Sequence, residues 1–433
     1  MTWHVITLVG EADEYSPALN AAAPRLVTAF ERPTHPHRVP NDVLAVLRAA
    51  LAVSPPAHAM DLLYLAMTVY SADLRVNRIH GTDRWCRDFV LHLPVTNVDR
   101  WRHAQEILIR MLQFLTGDRW QVELRPRQVA DESEHSAEHP VDVVSLFSGG
   151  LDSLVGAIDL LASEKTVALV GHHGAGMTNA IQADVLAHLE EFYAGSFSPY
   201  MFFVQPSSSG QDDGEKSTRS RSLLFLALGV ALSQSLSTPP PLFVAENGLI
   251  SLNVPLVPSR DGSSSTRTTH PHFLSTYAEF LSAIDLTTPI EAPYRFKTKG
   301  EMLSGCRSVD ALRACAPLSM SCSHPESGRF GKNSPRNHCD YCVPCIIRRA
   351  SLQAAGFPHT KYNIDVVTSP PKASSKTGSD LRAFSIALER LRTVRPSRYL
   401  FDILGTGPIP PSDAANYADV YRRGMEEVGA LLR

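Results

Sequence analysis

The 433-residue chain has little that would take it into a membrane or onto a polyanion. Its longest strongly apolar run, residues 223–232, is about half of the ~20 residues a membrane-spanning helix needs. The opening residues, MTWHVITLVGEADEY, carry no basic stretch and turn acidic before a usable apolar segment forms; no secretory signal is expected, and a cytoplasmic location is. No fixed-period repeat occurs, which excludes solenoids and propellers. Neither sign of charge dominates. With 41 Lys and Arg against 44 Asp and Glu, the formal charge is −3, so nucleic acid is not expected as a direct substrate. Cysteine is scarce: Cys86 stands alone and the other six lie between Cys306 and Cys345. An odd number so clustered, in a reducing compartment, reads as metal binding rather than crosslinking.

What is present is an ordinary globular composition, 44% hydrophobic and 20% charged, in a chain long enough for several domains. Polar stretches at 130–140, 205–222, 258–272 and 367–380 mark loops or linkers, the first being the best domain boundary. Before it the patterns predict strands at 3–9, 88–94 and 120–124 and helices at 41–53, 57–72 and 98–115. From residue 141 β-rich runs (141–147, 166–170, 201–204, 242–246) alternate with helices (152–162, 179–193, 222–233), and three further helices are predicted at 345–355, 379–394 and 412–432. Such alternation predicts an α/β fold: a doubly wound, mainly parallel sheet with an extra N-terminal α/β domain and C-terminal helices. The expected division is 1–135, 141–357 and 358–433.

The most informative segment is Ser145-Leu146-Phe147-Ser148-Gly149-Gly150-Leu151-Asp152-Ser153. A buried strand runs into two glycines and then opens a helix. Glycines let backbone N–H groups approach a phosphate, the helix start adds partial positive charge, and Ser148 and Ser153 add hydroxyls. The plainer alternative is a tight turn in which Ser148 or Asp152 caps the helix. There is no GK[ST] ending, so this is not a Walker A loop.

Cys322, Cys339, Cys342 and Cys345 form the pattern C-x16-C-x2-C-x2-C. Four thiolates so spaced suit a closed, structural Zn²⁺ knuckle spanning 322–345; His324 or His338 could replace one ligand. Cys306 and Cys315 lie outside the pattern and are expected in the core, with a redox role as the alternative.

The SGGxDS string resembles the PP-loop of ATP pyrophosphatases, which adenylate an oxygen and release pyrophosphate. Together with the cysteine knuckle, and with the blocks RSRSLLFLALGVALSQ, THPHFLSTYAEF, KTKGEML and SCSHPESGRFGKNSPRNHCDYCVPCIIRRASLQAAG in order, it resembles the QueC-like 7-cyano-7-deazaguanine synthase family over residues 141–357. The resemblance implies ATP, Mg²⁺ and structural Zn²⁺ as cofactors and a 7-deazaguanine-type small molecule as substrate. Carried over residue by residue, it implies that Leu146, Phe147, Ser148, Gly149, Gly150, Leu151, Asp152 and Ser153 bind ATP, with Asp152 and Ser153 catalytic. Arg219 or Arg221 and Lys299 would neutralise phosphate, and Glu246, Asn247 and Gly248 would line the substrate pocket at a strand end; Asn-Gly is also an ordinary turn. His172 and His173 follow another strand end and are expected to be structural. Ordinary synthases lack residues 1–140 and the C-terminal helices, and have an acidic YPDC-like string where this chain has RTTHPHF. The enlarged build is similar to QueC-like proteins of bacterial anti-phage defence operons, the Qat type among them. That implies an amide-forming ligase whose acceptor is a partner protein's N-terminus or ammonia. The alternatives are a tRNA-modifying PP-loop enzyme (thiolase or lysidine-type) and a nucleotide-binding adaptor.

Overall fold

The computed structural model describes all residues except 130–135, 207–214, 216–218, 259–265, 326–336, 359, 393–394 and 396; parts of the polar stretches at 130–140, 205–222 and 258–272, residues 326–336 of the expected knuckle and residues 393–394 of a predicted helix therefore lie outside the described residues. The first half runs β1 (Thr2–Val9), β2 (Arg25–Phe30), α1 (Val43–Leu51), α2 (Ala57–Arg75), β3 (Asp88–Val95), α3 (Val98–Thr116) and β4 (Arg119–Pro126). These strands form a parallel sheet of order β2-β1-β3-β4. The second half runs β5 (Val143–Leu146), α4 (Leu151–Leu161), β6 (Val167–His173), α5 (Thr178–Tyr193), β7 (Phe197–Phe203), α6 (Arg221–Gln234), β8 (Leu242–Phe243), α7 (Gly248–Leu252), α8 (Pro271–Ala283) and β9 (Ile290–Glu291). Its sheet, also parallel throughout, has the order β7-β6-β5-β8-β9. There follow α9 (Lys299–Ser304), α10 (Val309–Cys315), α11 (Val343–Ala354), α12 (Ser379–Arg392), α13 (Ser397–Leu404) and α14 (Ala414–Leu431).

The protein is thus α/β with two all-parallel sheets and a four-cysteine cluster. Parallel strands are covered on both faces, so their sequences read as unbroken apolar runs; Val143–Ser145 and Val167–Val170 are buried without alternation. The same rule explains α2 and α6. Residues 59–73 of α2 are buried all round, and so are residues 223–224 and 226–233 of α6. A helix buried on every side is enclosed by other elements, and these two enclose each other between the sheets, where one apolar cluster runs from Val5 to Leu286 across both halves. The two sheets therefore share a core. Among the described residues, no helix is long and apolar enough to cross a membrane.

Several elements depart from the sequence patterns, which mark no α8, β9, α9, α10 or α13. The run at 242–246 gives only a two-residue strand, because Val244 onward leaves the ladder toward α7. The segment RLVTAF, unmarked in the sequence reading, is β2, an edge strand whose alternation is masked by the polar segment before it.

Candidate active site and metal centre

β5 ends at Leu146, and the chain turns through Phe147–Gly150 into α4. Phe147 is buried and tied on both sides: its N–H donates to Val170 O (2.6 Å) and its carbonyl accepts from Gln182 Nε2 (3.1 Å). Gly149 has φ of +80°, which an L side chain rarely adopts. Ser148 Oγ accepts from Gly150 N–H (3.3 Å) and lies 3.2 Å from Ser153 Oγ, which donates to Gly150 O (3.0 Å). The helix N-cap is Gly150, without a side-chain cap, so neither Ser148 nor Asp152 acts as the cap. Leu151 N–H donates to Ser321 Oγ (3.3 Å) and Gly149 O accepts from Met320 N–H (2.9 Å), which stitches the loop to the segment before Cys322. The N–H groups of Ser148, Gly149, Asp152 and Ser153 find no acceptor among the described residues. Such a cluster of donors at a helix start suits an anion.

Asp152, in the first turn of α4, is buried and faces partners from two other elements. Lys299 Nζ, at the start of α9, lies 2.9 Å from Oδ1, and Asn247 Nδ2 donates to Oδ2 (2.7 Å). Both partners are placed by caps. Asn247 is the N-cap of α7, its Oδ1 accepting from Ile250 N–H (3.0 Å), and Thr298 caps α9 in a capping box with Glu301. Gly248 donates its N–H to Lys297 O (3.0 Å), holding the two caps side by side. Burial alone would raise the Asp152 carboxyl; the Lys299 charge and hydrogen bonds from Glu246, Lys299 and Asn247 outweigh it and hold the pKa below the ordinary value. Glu246 is pushed well above its ordinary value, by burial first and then by the Asp152 charge. The shifts run in opposite directions, so burial and mutual repulsion favour a single negative charge on the pair.

Arg221 opens α6 beside β6. Its guanidinium donates from Nε to His172 Nδ1 (3.3 Å) and from Nη2 to His172 O (3.2 Å), and no carboxylate among the described residues pairs with it. Burial, followed by the Arg221 charge, lowers His172 to about 3, so it stays neutral and serves as an acceptor. Arg219 points elsewhere. It packs over Trp85 (4.9 Å to the ring centroid) and donates to Thr116 O (3.3 Å), contacts with the first half rather than with the loop. Its neighbour Ser220 is anchored there too, to Asp73 Oδ2 (2.8 Å).

Two residues not picked out in the sequence join this site. Arg348 of α11 is fully buried and donates to Ser319 Oγ (2.9 Å), Ser321 Oγ (3.4 Å) and Ala316 O (2.7 Å), with no carboxylate partner among the described residues. Ser321 in turn holds Leu151 N–H, so Arg348 stands one hydroxyl away from the loop. The available signal was the position of Arg348, three residues after Cys345 and one turn further along α11.

Cys322, Cys339, Cys342 and Cys345 bring all four sulfurs within 4.8 Å of one another. Cys322 Sγ–Cys342 Sγ is 4.0 Å and Cys339 Sγ–Cys345 Sγ is 3.8 Å. Sulfurs about 2.3 Å from a tetrahedral zinc ion stand ~3.8 Å apart, so the donor set fits a metal ion such as zinc. The N–H groups of His324 (3.2 Å) and Cys342 (3.4 Å) donate to Cys322 and Cys339 sulfurs, support that thiolate ligands use. Cys306 and Cys315 are buried in the core, which raises their thiols to about 12 and about 11. A small cavity of about 30 Å³ lies between α7, α11, α12 and α14, lined by Leu249, Ile347, Phe384 and Met425 among others; no residue of the glycine turn lines it. No family model matches the sequence, and no curated protein matches it.

Proposed function

We propose that the protein is an ATP-dependent ligase of the QueC-like type, which adenylates the carboxylate of 7-carboxy-7-deazaguanine or a close relative and joins it to an amine. The observation that carries this reading is the excess of positive charge around the glycine turn. Lys299, Arg221 and Arg348 gather at the strand ends with the free N–H groups of α4, against one ionised carboxylate, Asp152.

That balance suits a triphosphate. A substrate carboxylate oxygen attacks the α-phosphorus, the bond to the β-phosphate oxygen breaks, and pyrophosphate leaves with the electron pair. The amine then attacks the acyl carbon of the adenylate, AMP leaves, and the amine gives up a proton. No side-chain nucleophile is required; the N–H donors and cations hold phosphate oxygens in place and offset the charge that develops on the leaving group. Mg²⁺ bound with the nucleotide would add to that neutralisation, Asp152 being the ionised carboxylate nearest the loop. The cysteine centre, closed by four sulfurs, serves structure: it fixes Ser321 beside Cys322 and Arg348 beyond Cys345. A defence role, with a protein partner's amine as acceptor, is the form of this reading that the enlarged build favours.

The test is AMP and pyrophosphate release from ATP and 7-carboxy-7-deazaguanine, with and without ammonia, products being identified by mass spectrometry. Substrate-dependent AMP is expected, with an amide or nitrile if ammonia is the acceptor, or a mass gain on a partner protein if it is not. ATP binding without AMP under any of these conditions would overturn the ligase in favour of an adaptor, and salt-sensitive tRNA binding would redirect it to tRNA.

A further inference from the structure

The C-terminal segment, outside the stretch that resembles the synthases, reaches the candidate site through α14. Leu249 of α7 packs against Gly424, where a Cβ would fall 2.8 Å from Leu249 Cδ2. Arg423 pairs with Glu301 of α9 and donates to Phe296 O (3.0 Å). The helix thus touches both elements that supply partners to Asp152.

Glu427 makes the closest approach. Its carboxylate accepts from the Thr298 hydroxyl, from Gly300 N–H (3.3 Å) and from Ser351 Oγ on α11 (3.2 Å). Thr298 and Gly300 are the residues on either side of Lys299. A Cβ at residue 300 would lie 2.5 Å from Glu427 Oε1, so a side chain there would push the carboxylate away. All three donors are neutral, so the carboxylate is not spent on an ion pair with Lys299; it holds the backbone on either side and leaves the ammonium to Asp152.

We propose that Glu427 is a positioning residue for Lys299: by gripping Thr298 and Gly300 it fixes the ammonium on Asp152, and α14 is thereby part of the working site. The catalytic consequence rests on the ligase reading above; the placement itself does not.

Two measurements on the full chain separate these. The first is acylation of Lys299, read by peptide mass spectrometry. Buried lysines label only through local opening, so E427A should label Lys299 at least about tenfold faster than wild type, and E427Q within about threefold of wild type. The second is AMP release: E427A should lower kcat by about tenfold or more with the KM for ATP within about threefold, and E427Q should restore most of kcat. A merely structural role would lower the thermal midpoint without this split and without rescue. Should E427A not fold, G300A, whose methyl group displaces the same carboxylate, replaces it in both assays. Wild-type labelling of Lys299 in a folded E427A or G300A protein overturns the proposal. A wild-type enzyme that releases no AMP overturns the ligase reading, while the labelling result still decides the role of Glu427.

Discussion

The two sheets differ most at the carboxyl ends of their strands, where parallel sheets bind ligands. In the first sheet the polar groups there satisfy one another. Arg127 pairs with Asp61 (2.8 Å), whose other oxygen takes the Thr96 hydroxyl (2.6 Å); Arg125 pairs with Asp13 (2.5 Å), Arg32 with Glu14 (2.6 Å), and Tyr64 donates to Glu31. Each cation named has its carboxylate. In the second sheet the ledger is left open: N–H groups of the glycine turn lack acceptors, and Arg221 and Arg348 lack carboxylates among the described residues. Uncompensated buried cations are expensive. On the function proposed above, a bound nucleotide supplies the missing charge, which would place the chemistry at the second sheet and leave the first as support.

The sharpest way to test the contrast is at the metal centre. Cys345→Ser should cut bound zinc from about one ion per chain to near none by elemental analysis, and should disorder α11, since closed four-sulfur sites contribute directly to folding. Full zinc retention would show that the centre does not hold the metal through these sulfurs. Next is Asp152→Asn, expected to lower AMP release per folded protein by roughly 10³-fold and also to lower the thermal midpoint, because it keeps the shape but leaves buried Lys299 without its carboxylate; unchanged turnover would move the chemistry elsewhere. Asp61→Ala is the counterpart in the first sheet. Removing a buried partner of Arg127 should cost about 3–5 kcal/mol in denaturant unfolding yet leave kcat of the folded protein within about threefold. A kcat collapse there would erase the distinction between the sheets.

The smallest effect concerns Glu246. Its folded-state pKa is raised above the ordinary 4.5, so its stabilising, protonated form is complete below that pH and is lost as pH rises through the folded value. Glu246→Gln cannot ionise. Its thermal midpoint should gain on the wild type as pH climbs above the ordinary glutamate range, and parallel curves would mean that the Asp152–Glu246 pair does not share a proton.

Much of this was legible in one dimension. The glycine turn announced itself because a buried strand, two glycines and a helix start are consecutive, and the cysteine centre because three ligands sit within seven residues. Arg219 and Arg221 could not be told apart, being two residues apart in one polar stretch. Which one faces β6 depends on Ser220, which is pinned to Asp73 in the first half. Arg348 was passed over because nothing in sequence says that a helix residue after a cysteine is buried without a counter-ion. Glu427 was invisible for a simpler reason: it lies over a hundred residues from Lys299, and an ordinary amphipathic helix carries it.

By itself the sequence determined the local conformations, since they follow from neighbours along the chain: strand into glycine turn into helix, cysteines spaced three apart, and a helix α6 so strongly apolar that it must be enclosed. Only the tertiary structure decided which charges meet. Lys299, Asn247 and Asp152 come from three separate elements, and a carboxylate is held below or above its ordinary pKa by what burial and packing bring within about 3 Å of it. Electrostatics act through space and not along the chain, so the site's charge balance had to be read from the folded protein.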